Sequence, residues 1–246
     1  MFLLDKPCGP TSFWVVRQVR RLLSIKKVGH AGTLDPFASG LLIVCAGRAA
    51  TRTIDALMAG EKEYLATLCL GVCTTTGDPE GEITLRRRVP PFSADELEAA
   101  LDRFRGEYWQ TPPAYSALKH QGKPLYAYAR KGIVIEKPPR RVFISSLTRE
   151  DLAFASDAAT LTIRVRSSKG TYIRRLAEDI GDALGCGAYL TALRRTMSGP
   201  FSVERAVTAG LLKEEDGLRH LASARLDETE LAALLRETRL PARVTD

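Results

Sequence analysis

The amino-acid sequence predicts an α+β fold built on a mixed, mostly antiparallel central sheet that is flanked by helices and loops. Hydrophobic residues make up 45% and charged residues 26% of the 246 positions, a balance typical of a globular protein with a sizeable core. Strand-like segments mostly follow one another in pairs, and helical segments do not alternate with them in a regular βαβ order. This arrangement favours an α+β fold over a parallel α/β fold.

The predicted strands are short apolar runs bounded by glycine, proline or other turn residues. They cover residues 1–4, 41–46, 63–71, 82–86, 141–152, 160–167 and 188–196. The segment 77–81, with the sequence GDPEG, predicts a turn between two of these strands. Residues 29–40 contain three glycines and one proline, and we predict that they form a loop.

The predicted helices are amphipathic segments, and the first ones begin at recognisable capping residues. Thr11 or Ser12 can cap the first helix. Its expected apolar face consists of Phe13, Val16, Val19, Leu22 and Leu23. Ser93 and Glu96 form a capping box at the start of a helix that extends to about residue 105. The other predicted helices cover residues 48–58, 125–131, 171–184, 211–222 and 227–239.

Positive charge is concentrated in the first 210 residues. The formal net charge is +7, and because the segment from residue 211 onward carries −2, the preceding residues carry +9. Arginines and lysines form clusters there, with tyrosines and Trp109 between them. This pattern is typical of a protein that contacts RNA phosphates and stacks on bases. From composition alone, a basic surface without a nucleic-acid partner is the alternative.

Several common chemistries lack their sequence motifs. The three histidines have no metal-binding spacing, and the phosphate-binding loop, the dinucleotide-binding motif and the nucleophile elbow are all absent. The five cysteines include no C-x-x-C pair, so we expect reduced, mostly buried thiols rather than disulfides or a zinc site. No apolar run approaches the roughly 20 residues of a membrane span, and we find no secretory signal. We therefore expect a cytoplasmic protein.

Two segments remain as candidates for a reactive site. The loop predicted over residues 29–40 holds Asp35 directly before a proline, and its glycines allow another molecule to approach closely. Asp35 is either a nucleophile or base, or an aspartate that only forms a turn or caps a helix. In residues 168–174, Tyr172 can stack on a base and Arg174 can pair with a carboxylate. The alternative for that segment is the exposed basic start of a helix.

These segments resemble motifs of the TruB-type tRNA pseudouridine synthases. Residues 29–40 (GHAGTLDPFASG) fill every fixed position of the family motif G-H-x-G-x-L-D-P-x-A-x-G, and residues 168–174 (SKGTYIR) are similar to S-x-G-T-Y-I-R. Further similar motifs are residues 5–12 (DKPCGPTS), Lys62-x-Tyr64, the set Gly71, Thr74, Thr76, Asp78 and Gly81, residues 110–119 (QTPPAYSALK), and residues 193–195 (LRR). The resemblance extends from about residue 1 to residue 210. Tyr189 departs from it, since the family has a histidine there in a G-A-H-L run.

The resemblance implies an isomerase that converts uridine 55 in the T loop of tRNA to pseudouridine. In that reaction the glycosidic bond breaks, the uracil turns, and its C5 atom bonds to C1′ of the ribose, without a cofactor or a metal. The target base lies in a structured loop, so it must first be flipped out at a cost of a few kcal/mol. The implied partner is the T arm of tRNA. We expect no obligate protein partner, no membrane association and a monomeric enzyme.

The resemblance also implies roles for individual residues. Asp35 is the catalytic carboxylate, acting as a nucleophile or as the base and electrostatic partner of a glycal-like path. Arg174 is its charge-assisted partner, which favours the ionised carboxylate in a dry pocket. Tyr172 lies near the reacting ring, either as acceptor of the C5 proton or as part of a relay. Tyr64 stacks on the target uracil, and His30 fills the space that the flipped base leaves. The other implied substrate contacts are Lys62, Leu193, Lys119, Arg130 and Arg141.

The predicted domains follow the extent of the resemblance. Residues 1–210 form a pseudouridine synthase catalytic domain, which includes an RNA-gripping insertion at about residues 110–141. Residues 211–246 form a short helical C-terminal extension in place of the full PUA domain that family members usually carry. Two competing functions are an RNA-binding module or tRNA-folding chaperone without catalysis, and a related synthase that acts on another RNA. The intact motif around Asp35 favours the enzyme over the chaperone.

Overall fold

The computed structural model describes residues 1–155 and 159–237, which form two compact units. The first unit comprises residues 1–64 together with the described residues from 193 onward, and the second comprises residues 65–192. The predicted extension over residues 211–246 is therefore described only as far as residue 237. None of the described helices is both long enough and apolar enough to cross a membrane.

The first unit begins with β1 (Phe2–Lys6), α1 (Ser12–Leu23), β2 (Val28–Ala31), β3 (Ser39–Ala46), α2 (Arg48–Thr51), α3 (Ile54–Ala59) and the start of β4 (Lys62–Leu70). The second unit holds the rest of β4, β5 (Val72–Thr74), β6 (Ile83–Arg86), α4 (Ala94–Asp102), β7 (Gly106–Gln110), β8 (Lys119–His120), β9 (Lys123–Pro124), α5 (Leu125–Ala129), β10 (Arg140–Phe154), β11 (Ala159–Ser167), α6 (Ile173–Ala183) and the start of β12 (Ala188–Ser198). The end of β12, β13 (Phe201–Ser202), β14 (Val207–Thr208), α7 (Gly217–Ser223) and α8 (Glu228–Glu237) return to the first unit, with short 3-10 helices at Val203–Arg205 and Ala209–Lys213.

In the first unit, β3 is the central strand of the sheet. It pairs antiparallel with β1 and with β2, and its first residues pair in parallel with β12. β14 extends this part of the sheet by pairing in parallel with β1, and β13 pairs antiparallel with the end of β12. The sheet is thus mixed and mostly antiparallel, as the pairing of strand-like segments in the sequence predicts.

Both faces of β3 are buried, which explains why its sequence is a continuous apolar run rather than an alternating one. Leu42 and Val44 face a cluster that also contains Val15, Val16 and Val19 of α1 and Leu221 of α7. Leu41, Ile43 and Cys45 face a second cluster with Leu3, Leu57, Phe201 and Leu226. The strand that leads out of the candidate loop is therefore held between two hydrophobic cores.

In the second unit, neighbouring strands of the sheet follow the order β12, β4, β11, β10, β7. β10 and β11 form a long antiparallel pair with register shifts between Ile144 and Ser146 and between Arg149 and Asp151. β7 pairs antiparallel with the first residues of β10 and ends the sheet on that side. The buried side chains Val142, Ile144, Leu161, Ile163 and Val165 cover one face of this part of the sheet. β5 with β6 and β8 with β9 form separate two-stranded ribbons.

Most predicted elements are present, and the differences arise from tertiary pairing and from capping. The predicted loop over residues 29–40 is shorter, because its first residues pair with β3 as strand β2 and its last two residues belong to β3 itself. The helix predicted over residues 48–58 is divided into α2 and α3. The hydroxyls of Thr51 and Thr53 there donate to the carbonyls of Gly47 and Ala50 and compete with helical bonding.

Two further expectations about helices are wrong in part. The helix predicted over residues 211–222 is instead a 3-10 helix followed by α7, and residues 238–239 of the next predicted helix lie outside the described residues. Thr11 caps α1 through its side chain, as expected, but Phe13 does not belong to the buried face and is 52% exposed. Val15 takes the buried position instead, because the helix turns its 12, 15, 16 and 19 positions inward.

Gly40 of β3 pairs with Arg195 of β12, and replacing it is expected to destabilise the first unit. Its φ of 103° is disfavoured for other residues, and a Cβ there would lie 2.3 Å from the carbonyl oxygen of Arg195. We expect Gly40→Ala to lower the free energy of unfolding by about 2 kcal/mol, measured by urea unfolding. Gly47→Ala is the matched control, since Gly47 also has a positive φ but a Cβ there would meet no atom within 4 Å. An equal loss in both variants would contradict the role of close packing.

Candidate active site

Asp35 lies in the loop between β2 and β3, and the loop is tethered to the N-terminal segment of the chain. The backbone N–H of Gly9 donates to the carbonyl of Pro36 at 2.8 Å. The ammonium of Lys6 is fully buried and donates to the carbonyls of Pro7, Pro10 and Pro36 at 2.8, 2.8 and 3.2 Å. These contacts give Lys6 a structural task.

Ser12 holds the residue before Asp35 from the other side. Its buried hydroxyl donates to the carbonyl of Leu34 at 2.9 Å and accepts from the N–H of Leu34 at 2.8 Å. Because Leu34 is itself buried, both of its backbone groups need such partners. The backbone N–H of Ala38 donates to the carbonyl of Asp35 and closes a turn. The position of the Asp35 backbone is therefore fixed by residues on both sides of it.

Arg195 spans the two ends of the same loop. Its side chain is almost fully buried, and it donates to the carbonyl of Gly32 at 3.0 Å and to that of Leu41 at 2.7 Å. Its neighbour Arg194 forms a two-pronged ion pair with Asp5, with N–O distances of 2.6 and 3.0 Å. The sequence motif over residues 193–195 thus acts as a brace for the loop, and Leu193 beside it is buried.

His30 is half-buried in β2, opposite Val44 of β3. Its Nδ1 atom is buried and has no hydrogen-bond partner among the described residues. Burial, and then the positive charge of Arg195, lower the pKa of His30 below its ordinary value. The neutral imidazole is therefore favoured at neutral pH. A neutral ring is better suited to stacking than to carrying a charge.

The lowered pKa of His30 predicts a pH dependence of stability. As the pH falls below about 6.5, the ordinary value for histidine, the unfolded chain gains this proton before the folded chain does, so the free energy of unfolding decreases. We expect His30→Phe to show a shallower decrease than the wild type when urea unfolding is compared at pH 7.5 and pH 5.5. Identical decreases in the two proteins would contradict this prediction. Other titrating groups contribute equally to both and cancel in the comparison.

Lys62 and Tyr64 lie at the start of β4, in the first unit. The ammonium of Lys62 is buried and donates to the carbonyls of Met58 and Gly60, the latter at 2.5 Å, so it caps the end of α3. Tyr64 is half-buried, two residues farther along the strand. Lys62 therefore stabilises the connection between α3 and β4. Part of the Tyr64 side chain remains accessible.

In the second unit, Arg174 lies in the first turn of α6 and is buried. Its guanidinium donates to the carbonyls of Thr76 and Tyr115 at 2.8 and 2.6 Å, and it forms an ion pair with Asp78 at 3.1 Å. Asp78 is also buried, so the pair is shielded from solvent. The sequence motifs included Asp78 without a role, and the structure supplies one.

Asp78 organises the turn between β5 and β6 as well as binding Arg174. One carboxylate oxygen accepts from the hydroxyl of Thr76 at 2.5 Å and from the N–H of Glu80 at 3.0 Å. The hydroxyl of Thr74 donates to the Asp78 carbonyl at 2.9 Å. The predicted turn over residues 77–81 is therefore a side-chain-bonded aspartate turn that also carries the counter-ion of Arg174.

Tyr172 is held through its backbone by a residue that sequence reasoning did not assign. The buried amide of Gln110 accepts from the N–H of Tyr172 at 2.7 Å and donates to the Tyr172 carbonyl at 3.0 Å. The guanidinium of Arg140 stacks over the Tyr172 ring at 4.9 Å and donates to the carbonyl of Gly170. This clamp sets the entry into α6, and with it the direction of the Tyr172 side chain.

The three basic residues predicted to contact RNA in the second unit are all exposed, but their surroundings differ. Lys119 lies in the β8–β9 ribbon, and the guanidinium of Arg130 stacks over the ring of Tyr126 at 5.5 Å. Arg141 forms an ion pair with Glu107 across the β7–β10 pair. Among the described residues, no cluster of three or more histidine, cysteine or acidic side chains is arranged to hold a metal ion.

The predicted site residues are thus divided between the units. Asp35, His30, Lys62, Tyr64 and Leu193 belong to the first unit. The others, Arg174, Tyr172, Lys119, Arg130 and Arg141, belong to the second. The residues that sequence reasoning missed are mostly those that hold the predicted ones. They are Ser12, Arg195, Asp78 and Gln110.

Solved structures share the fold of this mostly antiparallel α+β sheet, which carries a braced aspartate loop and an arginine at a helix start. The crystal structure of a Cbf5–Nop10–Gar1 complex aligns at a TM-score of 0.65 and 32% identity, covering 91% of this chain and 58% of that chain. A structure of an H/ACA RNP bound to a substrate RNA containing 2′-deoxyuridine aligns at a TM-score of 0.62 and 30% identity, covering 91% and 57%. This chain therefore spans less than two thirds of those solved chains.

Family models and curated relatives give the particular family. The model of the TruB family pseudouridylate synthase N-terminal domain matches residues 20–173, and that of the tRNA pseudouridylate synthase B C-terminal domain matches residues 174–240. The tRNA pseudouridine synthase B of Desulfotalea psychrophila is 58% identical over 217 residues, 88% of each chain. That of Thiobacillus denitrificans is 48% identical over 254 residues, 98% of this chain and 83% of its own. The chain belongs to the TruB family of pseudouridylate synthases, which are isomerases.

Proposed function

We propose that this enzyme isomerises uridine 55 in the T loop of tRNA to pseudouridine. The observation that carries the proposal is the 58% identity, over 88% of both chains, to a protein named tRNA pseudouridine synthase B. The positive net charge of the chain and the exposed arginines and lysines of the second unit support a polyanionic substrate. In line with the sequence expectations, we also propose that it works on tRNA as a monomer in the cytoplasm.

Asp35 is the catalytic carboxylate in this proposal. It attacks the uridine as a nucleophile, or it acts as base and electrostatic partner of a glycal-like path. In either case the bond between N1 and C1′ breaks, the uracil turns, a bond forms between C5 and C1′, the C5 proton leaves to solvent and N1 takes up a proton, and in the nucleophilic path the bond to Asp35 is released, so that the product is an isomer of uridine. The tethers from Lys6 and Ser12 support the role of Asp35, since a reacting group must be held in a fixed position.

In this proposal Arg174 is the charge-assisted partner that favours the ionised carboxylate. Tyr172 lies next to the reacting uracil ring, either as acceptor of the C5 proton or as part of a relay. Burial of Arg174 strengthens its electrostatic interactions, and its ion pair with Asp78 holds the guanidinium in position. Tyr64 stacks on the target uracil. Neutral, half-buried His30 fills the space that the base leaves when it flips out of the T loop.

Further contacts hold the T arm in this proposal. Lys119, Arg130 and Arg141 contact its backbone, as part of the RNA-gripping insertion at about residues 110–141. Lys62 at the start of β4 and Leu193 in β12 are the remaining substrate contacts in this proposal, and both side chains are largely buried. Residues 1–210 form the catalytic domain, with residues 211–246 as its extension.

The test is release of tritium from C5 of labelled uridine in T-arm RNA, with no cofactor or metal added. We expect release by the wild type, and sequence mapping of the product is expected to place pseudouridine at position 55. RNA binding without tritium release would favour the chaperone over the enzyme. Release with the product at another position, or only from another RNA, would favour the related synthase with a different substrate.

A further inference from the structure

One face of the sheet in the second unit is exposed and carries two large aromatic side chains. β7 and β10 pair so that Trp109 lies opposite Arg141 and Glu107 lies opposite Phe143. Trp109 is 65% exposed and Phe143 is 47% exposed, whereas Val142 between Arg141 and Phe143 is buried on the other face. Two such neighbouring aromatic rings are unusual on a solvated strand pair and indicate a binding surface.

The charged residues around these rings are mostly basic. Arg141, Arg166 and Lys169 are exposed, Glu107 is paired with Arg141, and Asp179 and Asp182 line a pocket with Trp109, where Asp179 is paired with Arg175. We call Trp109, Phe143, Arg141, Arg166 and Lys169 the aromatic face. Flat rings that alternate with guanidinium and ammonium groups match unpaired nucleotides, whose bases stack and whose phosphates carry negative charge. An apolar protein partner would match fewer of these groups, because charged residues are depleted at the centre of protein interfaces.

The aromatic face adjoins Ser168, which begins the segment that leads to Tyr172 and Arg174. The N–H of Phe143 donates to the hydroxyl of Ser168 at 2.9 Å, and the N–H of Ser168 donates to the carbonyl of Phe143 at 2.8 Å. Trp109 directly precedes Gln110, whose amide binds the backbone of Tyr172. Because Gln110 and Arg140 face the side of the sheet opposite to Trp109 and Phe143, an RNA strand that reaches both Tyr172 and the aromatic face passes over the edge strand β7.

We propose that the aromatic face binds unpaired nucleotides of the RNA substrate. Trp109 and Phe143 stack on bases, and Arg141, Arg166 and Lys169 contact the adjoining phosphates. This inference rests on the proposed function for the identity of the substrate. It adds a stacking surface to the single basic contact, Arg141, that the sequence resemblance implied for this region. Binding at this surface tolerates different bases, because every base presents a π-face.

Fluorescence tests the proposal directly, because the chain contains only two tryptophans. In the Trp14→Phe variant, Trp109 is the one tryptophan left. Titration with a T-arm hairpin RNA is expected to quench its emission, and titration with a fully paired duplex of the same length is expected to quench it much less. In the otherwise wild-type chain, Trp109→Ala is expected to bind the hairpin about 10-fold more weakly, with the loss in KM rather than in kcat.

Phe154→Ala is the matched control. Phe154 is 59% exposed on the same strand as Phe143, eleven residues farther along, which corresponds to roughly 36 Å of strand. We expect this variant to bind the hairpin as the wild type does. Circular dichroism and thermal unfolding of each variant establish that the substituted proteins are folded.

Three results would overturn the proposal. If Trp109→Ala binds the hairpin with wild-type affinity while the wild type still releases tritium, the aromatic face does not bind RNA, although the proposed function survives. If Trp109→Ala binds RNA normally but abolishes concentration-dependent self-association of the wild type, the face is instead an interface between two copies of the chain. If the wild type neither binds nor modifies the hairpin, the proposed function and this inference both fail.

Discussion

Replacing Asp35 by asparagine is expected to abolish pseudouridine formation while RNA binding remains. Asparagine keeps the size and the turn-forming ability of the side chain, but it removes the negative charge and the nucleophilic oxygen. Loss of a group that takes part in bond breaking lowers kcat by about 10⁴-fold or more. Tritium release from C5-labelled T-arm RNA measures the rate, and a filter-binding titration measures the affinity.

The matched control for this variant is Asp55→Asn. Asp55 is exposed in the first turn of α3, so the same change of atoms there should leave the rate close to the wild-type value. Retention of both RNA binding and turnover by Asp35→Asn would mean that another group performs the chemistry. Loss of RNA binding together with activity would instead mean that Asp35 has a structural task in the loop.

The second large effect is expected at Asp78. Removal of its carboxylate by Asp78→Ala leaves the buried guanidinium of Arg174 without this counter-ion and leaves Thr76 and the N–H of Glu80 without their acceptor. Breaking a buried pair from one side costs about 3–5 kcal/mol, and because Arg174 keeps its two carbonyl acceptors we expect about 3 kcal/mol. Urea unfolding measures the change. We also expect kcat to fall, because Arg174 loses the group that orients it.

Three comparison variants separate charge from shape at this position. Asp78→Asn keeps an oxygen acceptor for the turn, so it should recover part of the stability but little of the activity. Asp102→Ala removes an aspartate from an exposed pair with Arg105 and should cost less than about 1 kcal/mol. A double-mutant cycle of Asp78→Ala with Arg174→Met is expected to show strong coupling. Additive effects in that cycle would contradict the pairing as the cause.

The fold class and the loop that holds Asp35 could be identified from the sequence because both depend on local patterns. The buried run of β3, the turn over residues 77–81 and the capping box at Ser93 and Glu96 are contiguous signals, and the capping box is formed as expected. The loop around Asp35 is likewise one uninterrupted motif. The error at β2 has a local cause as well, since Gly29 and His30 have little preference for strands and only pairing with β3 makes them extended.

The supporting contacts could not be predicted, because they join residues far apart in the chain. Arg174 and Asp78 are 96 residues apart, and Gln110 and Tyr172 are 62 apart. The sequence motifs contained all four residues, but nothing in their spacing indicates which side chain binds which backbone group. The burial of Lys6 and Lys62 could not be predicted for a different reason, because most lysines in proteins are exposed to solvent.

Arg195 bridges the two ends of the Asp35 loop, and this limits how far the loop can move when substrate binds. The planar guanidinium of Arg195 binds the carbonyls of Gly32 and Leu41 at the two ends of the loop. Strand β3, which follows the loop, is packed between two hydrophobic clusters. Such a segment cannot swing aside and close again like a lid. The backbone around Asp35 is therefore fixed before any encounter, and in the proposed reaction the conformational work falls on the RNA, which must reshape its own loop to present the uridine.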